Sequence, residues 1–156
     1  MKRIILVGPS CAGKSFIRQK FAEKGYTYDV SYTARPPRGS EVDGVDYKFI
    51  SRVNFQDMVN FDLFYEWIEF GGYKYGTGLK EWQTSDIFIM ESDGIKHLKP
   101  QDRKESVIIY VNTSRITCLR RMEERGWDKV KIVERIKTDA EKFKDFLDYD
   151  FTISSE

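Results

Sequence analysis

The run Gly8-Pro9-Ser10-Cys11-Ala12-Gly13-Lys14-Ser15 satisfies G-x-x-x-x-G-K-[ST] at every specified position. That spacing is suited to holding a polyphosphate. Gly8 and Gly13 let the main chain wrap closely, so that successive N–H groups of the loop, which runs through Pro9, Ser10, Cys11 and Ala12, aim at phosphate oxygens. A helix beginning immediately afterwards adds partial positive charge. Lys14 would bridge the β- and γ-phosphates of ATP, and Ser15 would ligate Mg²⁺. Cys11 fills an unspecified position and reads as tolerated rather than nucleophilic. The sequence on either side agrees with this reading. Ile4-Ile5-Leu6-Val7 is a continuous apolar run of the buried-strand type, and Lys14–Lys24 is a helical pattern offering Phe16, Ile17, Phe21 and Ala22 for packing.

A second group of residues suits an anion. Arg35 and Arg38 stand three apart across the stiff pair Pro36-Pro37. Guanidinium forks grip phosphate bidentately, and proline holds the chain that carries them. Tyr47, Tyr75 and Thr77 could complete a phosphate shell, and Glu66 could accept two hydrogen bonds from a base edge. Spacing alone weighs evenly against the plainer reading, in which the arginines solubilise a surface and the aromatic residues pack. Arg121 and Arg125, four apart, read first as a charged helix face with Glu123, Glu124 and Glu134. His97, the only histidine, reads as a solvated residue in a helix turn.

These groups need a frame. Ile4–Val7, Ile87–Met90, Val107–Val111 and Phe151–Ile153 are short apolar runs, and helical patterns lie between them. Thr113 or Ser114 can cap a helix that turns Leu119 and Met122 inward and closes at Gly126. Val133, Ile136, Ala140, Phe143 and Leu147 mark one face of a long helix. Strands alternating with helices predict an α/β fold, a parallel sheet flanked by helices. The stretch from about Ser31 to Trp82 breaks that rhythm. Its Pro-Pro pair, its turn glycines and its alternating pieces Tyr47–Ile50 and Leu63–Phe70 predict antiparallel strands around a short helix near Val53–Val59. The expected organisation is a single domain over 1–156, with a core of about 1–30 and 83–156 and an insertion of about 31–82.

The 156 residues carry 26 Lys and Arg against 25 Asp and Glu, a net charge of +1. That balance gives no global field for nucleic acid or anionic lipid. No apolar run approaches the roughly 20 residues of a spanning helix or the 7–15 of a signal peptide. Two cysteines are too few for a disulfide framework, and a cytoplasmic location is expected.

In order and separation, Gly8–Ser15, Thr33-Ala34-Arg35-Pro36-Pro37-Arg38-Gly39-Ser40-Glu41, Gly44-Val45-Asp46-Tyr47-Lys48-Phe49, Phe64–Trp67 and Tyr75-Gly76-Thr77 resemble guanylate kinases. The similarity runs from Lys2 to about Ser154. It implies a P-loop kinase sheet with a small mixed β/α insertion that binds a nucleoside monophosphate. By resemblance, Arg35, Arg38, Glu41, Tyr47 and Tyr75 belong to the GMP phosphate pocket, and Ser31, Glu66 and Thr77 read guanine. Arg121 and Arg125 match lid arginines, Arg135 matches the arginine after the lid, and a short lid spans about 125–135. Ile89-Met90-Glu91-Ser92-Asp93-Gly94 departs from the family's D-I-D-x-Q-G: Ile89 replaces the first acid and Glu91 the second. Glu91 can still act as the acid behind a strand. The implied reaction is ATP-dependent phosphorylation of GMP or dGMP with Mg²⁺. The alternatives are the same fold acting on another nucleoside monophosphate or a ribose phosphate, and a non-catalytic guanylate-kinase-like binding module. Oligomeric state stays open.

Overall fold

The computed structural model describes residues 2–156. In chain order the elements are β1 (Arg3–Val7), α1 (Lys14–Ala22), β2 (Tyr32–Thr33), β3 (Lys48–Phe49), α2 (Arg52–Asn60), β4 (Phe64–Phe70), β5 (Tyr73–Gly78) and α3 (Leu79–Thr84). They continue with β6 (Ile87–Ile89), α4 (Ser92–Ile95), α5 (Pro100–Lys104), β7 (Ser106–Val111), α6 (Arg115–Glu124), α7 (Lys129–Phe143) and β8 (Phe151–Ile153). They fall into two compact units, Met1–Tyr26 with Ile87–Glu156, and Thr27–Asp86.

The first unit is built on a sheet in the order β6-β1-β7-β8, with every pairing parallel. Parallel strands need crossovers, and the helices between them supply these and cover the faces. Ile5, Leu6, Val7, Ile87, Phe88, Ile108 and Val111 are consequently fully buried. Each such side chain gains roughly 1.5–3 kcal/mol on leaving water. The apolar strands read from the sequence are all present, and the fold is the α/β P-loop type expected.

Helix faces differ from expectation in detail. On α6 the buried positions are Thr117, Cys118 and Met122, while Leu119 is exposed. Cys118 and Met122 lie four apart on one row, and Leu119 is turned about 100° away from it. Ser114 caps α6, accepting from the Thr117 N–H, and Trp127 N–H closes it by donating to Met122 O. Asp128 caps α7 through the N–H groups of Val130 and Lys131, which starts that helix earlier than the apolar pattern implied. Ile132 and Asp139 face inward, whereas Val133 is exposed. Leu147 lies beyond the helix end and is exposed, because the chain turns back at Phe143 to stack Tyr110, Phe143, Phe146 and Tyr149 together. Phe16 on α1 is likewise exposed.

The second unit carries a sheet in the order β3-β2-β5-β4. β5 pairs antiparallel with β2 and β4, as the alternating pattern predicted. β3 pairs parallel with β2 instead. A tight hairpin would have forced antiparallel pairing. Here the chain between β2 and β3 is a long loop, fastened by Glu41 to Arg38 N–H, Asp46 to Val42 N–H and Asp43 to Phe49 N–H. Ser51 caps α2 by accepting from Asn54 N–H. Phe55, fully buried, stacks on Phe64 at 4.5 Å. Among the described residues, no helix is long and apolar enough to cross a membrane.

Candidate active site

In the first unit the phosphate loop leaves the end of β1 and enters α1. Gly8 passes so close to β7 that a Cβ there would lie 2.6 Å from Val111 O. Gly13, the residue before α1, sits at φ 102 and would drive a Cβ into Ser155. Both glycines of the motif are therefore demanded by geometry. Cys11 takes a left-handed conformation, φ 59, in the middle of the loop. Ala12 packs with Val111 and Cys118, fixing the loop's underside to the core.

Cations gather at this loop. The Lys14 ammonium donates to Gly8 O at 2.6 Å and Pro9 O at 2.7 Å. Burial pushes its pKa below the ordinary lysine value, against the opposing pull of Glu91 and Asp139. Arg121 donates to Cys11 O at 3.0 Å and to Ser155. Arg135 donates from Nε to Ser10 Oγ and stands 3.9 Å from Glu91 and 3.4 Å from Asp139. The Cys11 thiol is raised by burial, while Arg125, Lys14, Arg135 and Arg121 all pull it down. Of the cations assigned to the donor side, Lys14, Arg121 and Arg135 thus contact the loop directly. Ser15 is exposed in the first turn of α1. Glu91 precedes α4, with Lys142 at 3.5 Å and Arg135 on its other side.

The second unit assembles the other set. Arg35 is 5% exposed and forks onto Glu41, with NH1 to Oε2 at 2.8 Å and NH2 to Oε1 at 3.0 Å. Its Nε donates to the Tyr75 hydroxyl at 3.2 Å, and its plane lies 5.4 Å from the Tyr47 ring. Burial alone would lower the Arg35 pKa, but Glu41 and Tyr75 hold it above its ordinary value. Burial would raise Glu41, yet Arg35 and the Arg38 N–H keep it below the usual carboxylate range. Arg38 joins through that main-chain bond, 2.7 Å long, and the residue is exposed. A few residues along β4 and β5, buried Thr77 donates to Glu66 Oε1 at 2.8 Å. Ser31 donates to buried Asp29. Arg35, Glu41, Tyr47 and Tyr75 therefore form one cluster and Glu66 with Thr77 another.

A loop ringed by cations and a guanidinium cluster on a separate mixed sheet can be set against known proteins. The family model described as guanylate kinase matches residues 1–156. The chain belongs to the guanylate kinase family. The guanylate kinase of Aster yellows witches'-broom phytoplasma (strain AYWB) is 31% identical over 164 residues, covering 98% of this chain and 78% of the relative. That of Bacillus anthracis is 32% identical, with 98% and 80% covered. The crystal structure of guanylate kinase from Anaplasma phagocytophilum superposes with a TM-score of 0.74 at 22% identity, covering 99% of this chain and 77% of that one, and so shares the fold. As a member of the guanylate kinase family, the chain is an ATP-dependent phosphotransferase.

Within this guanylate kinase fold, sequence reasoning overlooked several residues that hold the loop. Asp139 accepts from Ser10 N–H at 2.8 Å, and Thr113 donates to Ala12 O at 2.7 Å. Ser155 and Glu156 were also missed; Ser155 meets Ala12 O and Arg121, and Glu156 meets Ser114 and Thr117. For Asp139 a signal existed, the i,i+4 spacing to Arg135 on a helix. For Ser155, far along the chain from Gly13, there was none.

Proposed function

We propose that the chain transfers the γ-phosphoryl group of ATP to GMP or dGMP, giving ADP and GDP or dGDP. An acceptor phosphate oxygen attacks Pγ, and the bond from Pγ to the β,γ-bridging oxygen breaks. The acceptor phosphate is ionised near neutral pH, so no general base is needed. The obstacle is repulsion between polyanions, about 4 kcal/mol for two unit charges at 4 Å and an effective dielectric near 20. The observation that carries the reading is the gathering of Lys14, Arg121 and Arg135 on the phosphate loop, where they donate to Gly8 O and Pro9 O, to Cys11 O and to Ser10 Oγ. These cations would neutralise the charge that moves during transfer.

Gly8–Ser15 would hold the ATP phosphates through the loop amides other than those of Ser10 and Ala12, which donate to Asp139 and to Pro9 O instead. The hard-oxygen chemistry of Mg²⁺ fits Ser15 Oγ, on an exposed residue beside the phosphate-binding turn, with Glu91 available through water. Held there, the metal would supply positive charge that draws off the negative charge of the phosphates. The insertion of about 31–82 would form the acceptor region and about 125–135 the lid. Arg35, Arg38, Tyr47 and Tyr75 would hold the acceptor phosphate, with Glu41 keeping the Arg35 fork in plane. Glu66 would accept from the guanine edge while Thr77 Oγ1 fixes its orientation, and Ser31 would donate beside it.

An ADP-release assay over GMP, dGMP, AMP, CMP, UMP and ribose phosphates tests this. Turnover confined to GMP and dGMP is expected. Turnover with another acceptor and none with these two would overturn the assignment, and the absence of both turnover and ATP binding would favour a binding module.

A further inference from the structure

Arg135 and Asp139 lie one turn apart on α7 and grip Ser10 by its hydroxyl and its main-chain N–H. Arg135 Nε donates to Ser10 Oγ, and Asp139 Oδ2 accepts from Ser10 N–H at 2.8 Å. Asp139 Oδ1 stands 3.4 Å from Arg135 Nε, which closes the ring. Asp139 is 6% exposed. An inward helix position of that kind ordinarily holds an apolar side chain, because burying a carboxylate costs several kcal/mol unless partners compensate. Its two partners are the phosphate loop and an arginine assigned to the reaction.

We propose that Asp139 is a positioning residue for phosphoryl transfer, setting Arg135 over the phosphate loop by binding the amide of Ser10 and the guanidinium at once. The inference rests on the kinase reading above. The ring holds Arg135 at its Nε end, and its NH2 points toward Glu91 at 3.9 Å. A carboxylate at this place acts on two quantities in opposite directions. It orients the arginine, which favours the transition state, and it brings negative charge near an incoming triphosphate, which weakens ground-state binding. A residue that only stabilised the loop would not separate these effects.

The test compares the unsubstituted protein, Asp139→Asn, Arg135→Ala and the double variant. Asparagine keeps an acceptor for Ser10 N–H and removes the charge. In Asp139→Asn, kcat is expected to fall about tenfold or more, while KM for ATP stays level or drops. In the Arg135→Ala background the same change should alter kcat less than twofold, since the partner through which it acts is gone. A kcat within twofold of the parent, or an equal loss in both backgrounds, overturns the proposal. Should Asp139→Asn melt early, Ser10→Ala removes only the hydroxyl limb; a loss of kcat that disappears in Arg135→Ala supports the ring, and no loss refutes it. If the unsubstituted protein fails to phosphorylate GMP, the kinase reading falls by itself. Calorimetry with ATP alone then decides the inference. With Arg135 present, Asp139→Asn should leave the ATP Kd level or tighten it, and a weakening of threefold or more sinks the inference.

Discussion

Replacing Lys14 with methionine separates catalysis from folding. The ammonium makes two charge-assisted bonds, to Gly8 O at 2.6 Å and Pro9 O at 2.7 Å. At about 1.5–3 kcal/mol each, their loss would cost about 3–6 kcal/mol. Against this stands the expense of holding an ammonium out of water, itself several kcal/mol. Methionine keeps the stem and removes that penalty, so the two nearly cancel. A net change within about 1 kcal/mol moves the melting temperature by roughly 2–4 °C in a chain of this size. Loss of a charge placed at the transferring phosphate should instead cut kcat by about 10²–10³-fold. Thermal denaturation and ADP release measure the two. A variant keeping more than a tenth of parental kcat, or melting more than about 10 °C lower, would refute the reasoning. Its pH behaviour provides a second check. Burial lowers the folded pKa of Lys14 below the unfolded value, so the unfolded chain binds more protons in the alkaline window between them. The penalty is full below the folded pKa and is relieved as pH rises toward about 10.4, the unperturbed value. Lys14→Met should lose that alkaline gain.

Arg38→Ala is expected to raise the KM for GMP about tenfold, equivalent to about 1.4 kcal/mol, with KM for ATP unchanged; steady-state kinetics with an unaltered GMP KM would remove Arg38 from the pocket. Thr77→Val takes the 2.8 Å donor from buried Glu66, an effect of about 1–3 kcal/mol, so GMP should lose ground relative to other monophosphates in the acceptor panel. Glu41→Gln addresses acid stability. Glu41 is held below its ordinary range, so its contribution is complete above the unfolded pKa of about 4.3 and fades as pH falls through the lower folded value. Acid melts of the glutamine variant should be flatter in that window, and identical slopes would deny the Arg35 pair a role in stability.

What the sequence made legible were the local determinants. The phosphate loop declared itself because two glycines at fixed spacing answer to backbone constraints, the approach to Val111 O and the φ of 102 at Gly13. The buried strands were visible because parallel strands covered on both faces leave uninterrupted apolar runs. Long-range partners stayed hidden. Asp139 was one acid among 25 until the fold set it against Ser10. Leu119 looked like core because hydrophobicity does not specify rotation about a helix axis when Cys118 can fill the same row. β3 was assigned the wrong direction because two residues carry no periodicity, and the bonds of Asp43, Asp46 and Glu41 decide its path.

The resting partners of each cation indicate how binding would proceed. Lys14 rests on the carbonyls of Gly8 and Pro9, and Arg121 on the Cys11 carbonyl and Ser155. Neutral acceptors bond roughly half as strongly as charged ones, so phosphate oxygens can replace these partners with a net gain, which supplies ground-state affinity in addition to what Lys14 contributes at the transferring phosphate. Arg135 rests near the carboxylates Asp139 and Glu91, and Arg35 is forked onto Glu41. For these two a phosphate gains little by exchange, because it must share the guanidinium with an existing anion. Their benefit grows only as charge shifts during transfer or as the acceptor phosphate settles in one orientation. Arg135→Ala should therefore depress kcat more than ATP affinity, whereas Arg121→Ala should do the reverse. Initial-rate kinetics paired with ATP calorimetry resolves the two patterns, and equal losses of affinity in both variants would contradict this division of labour.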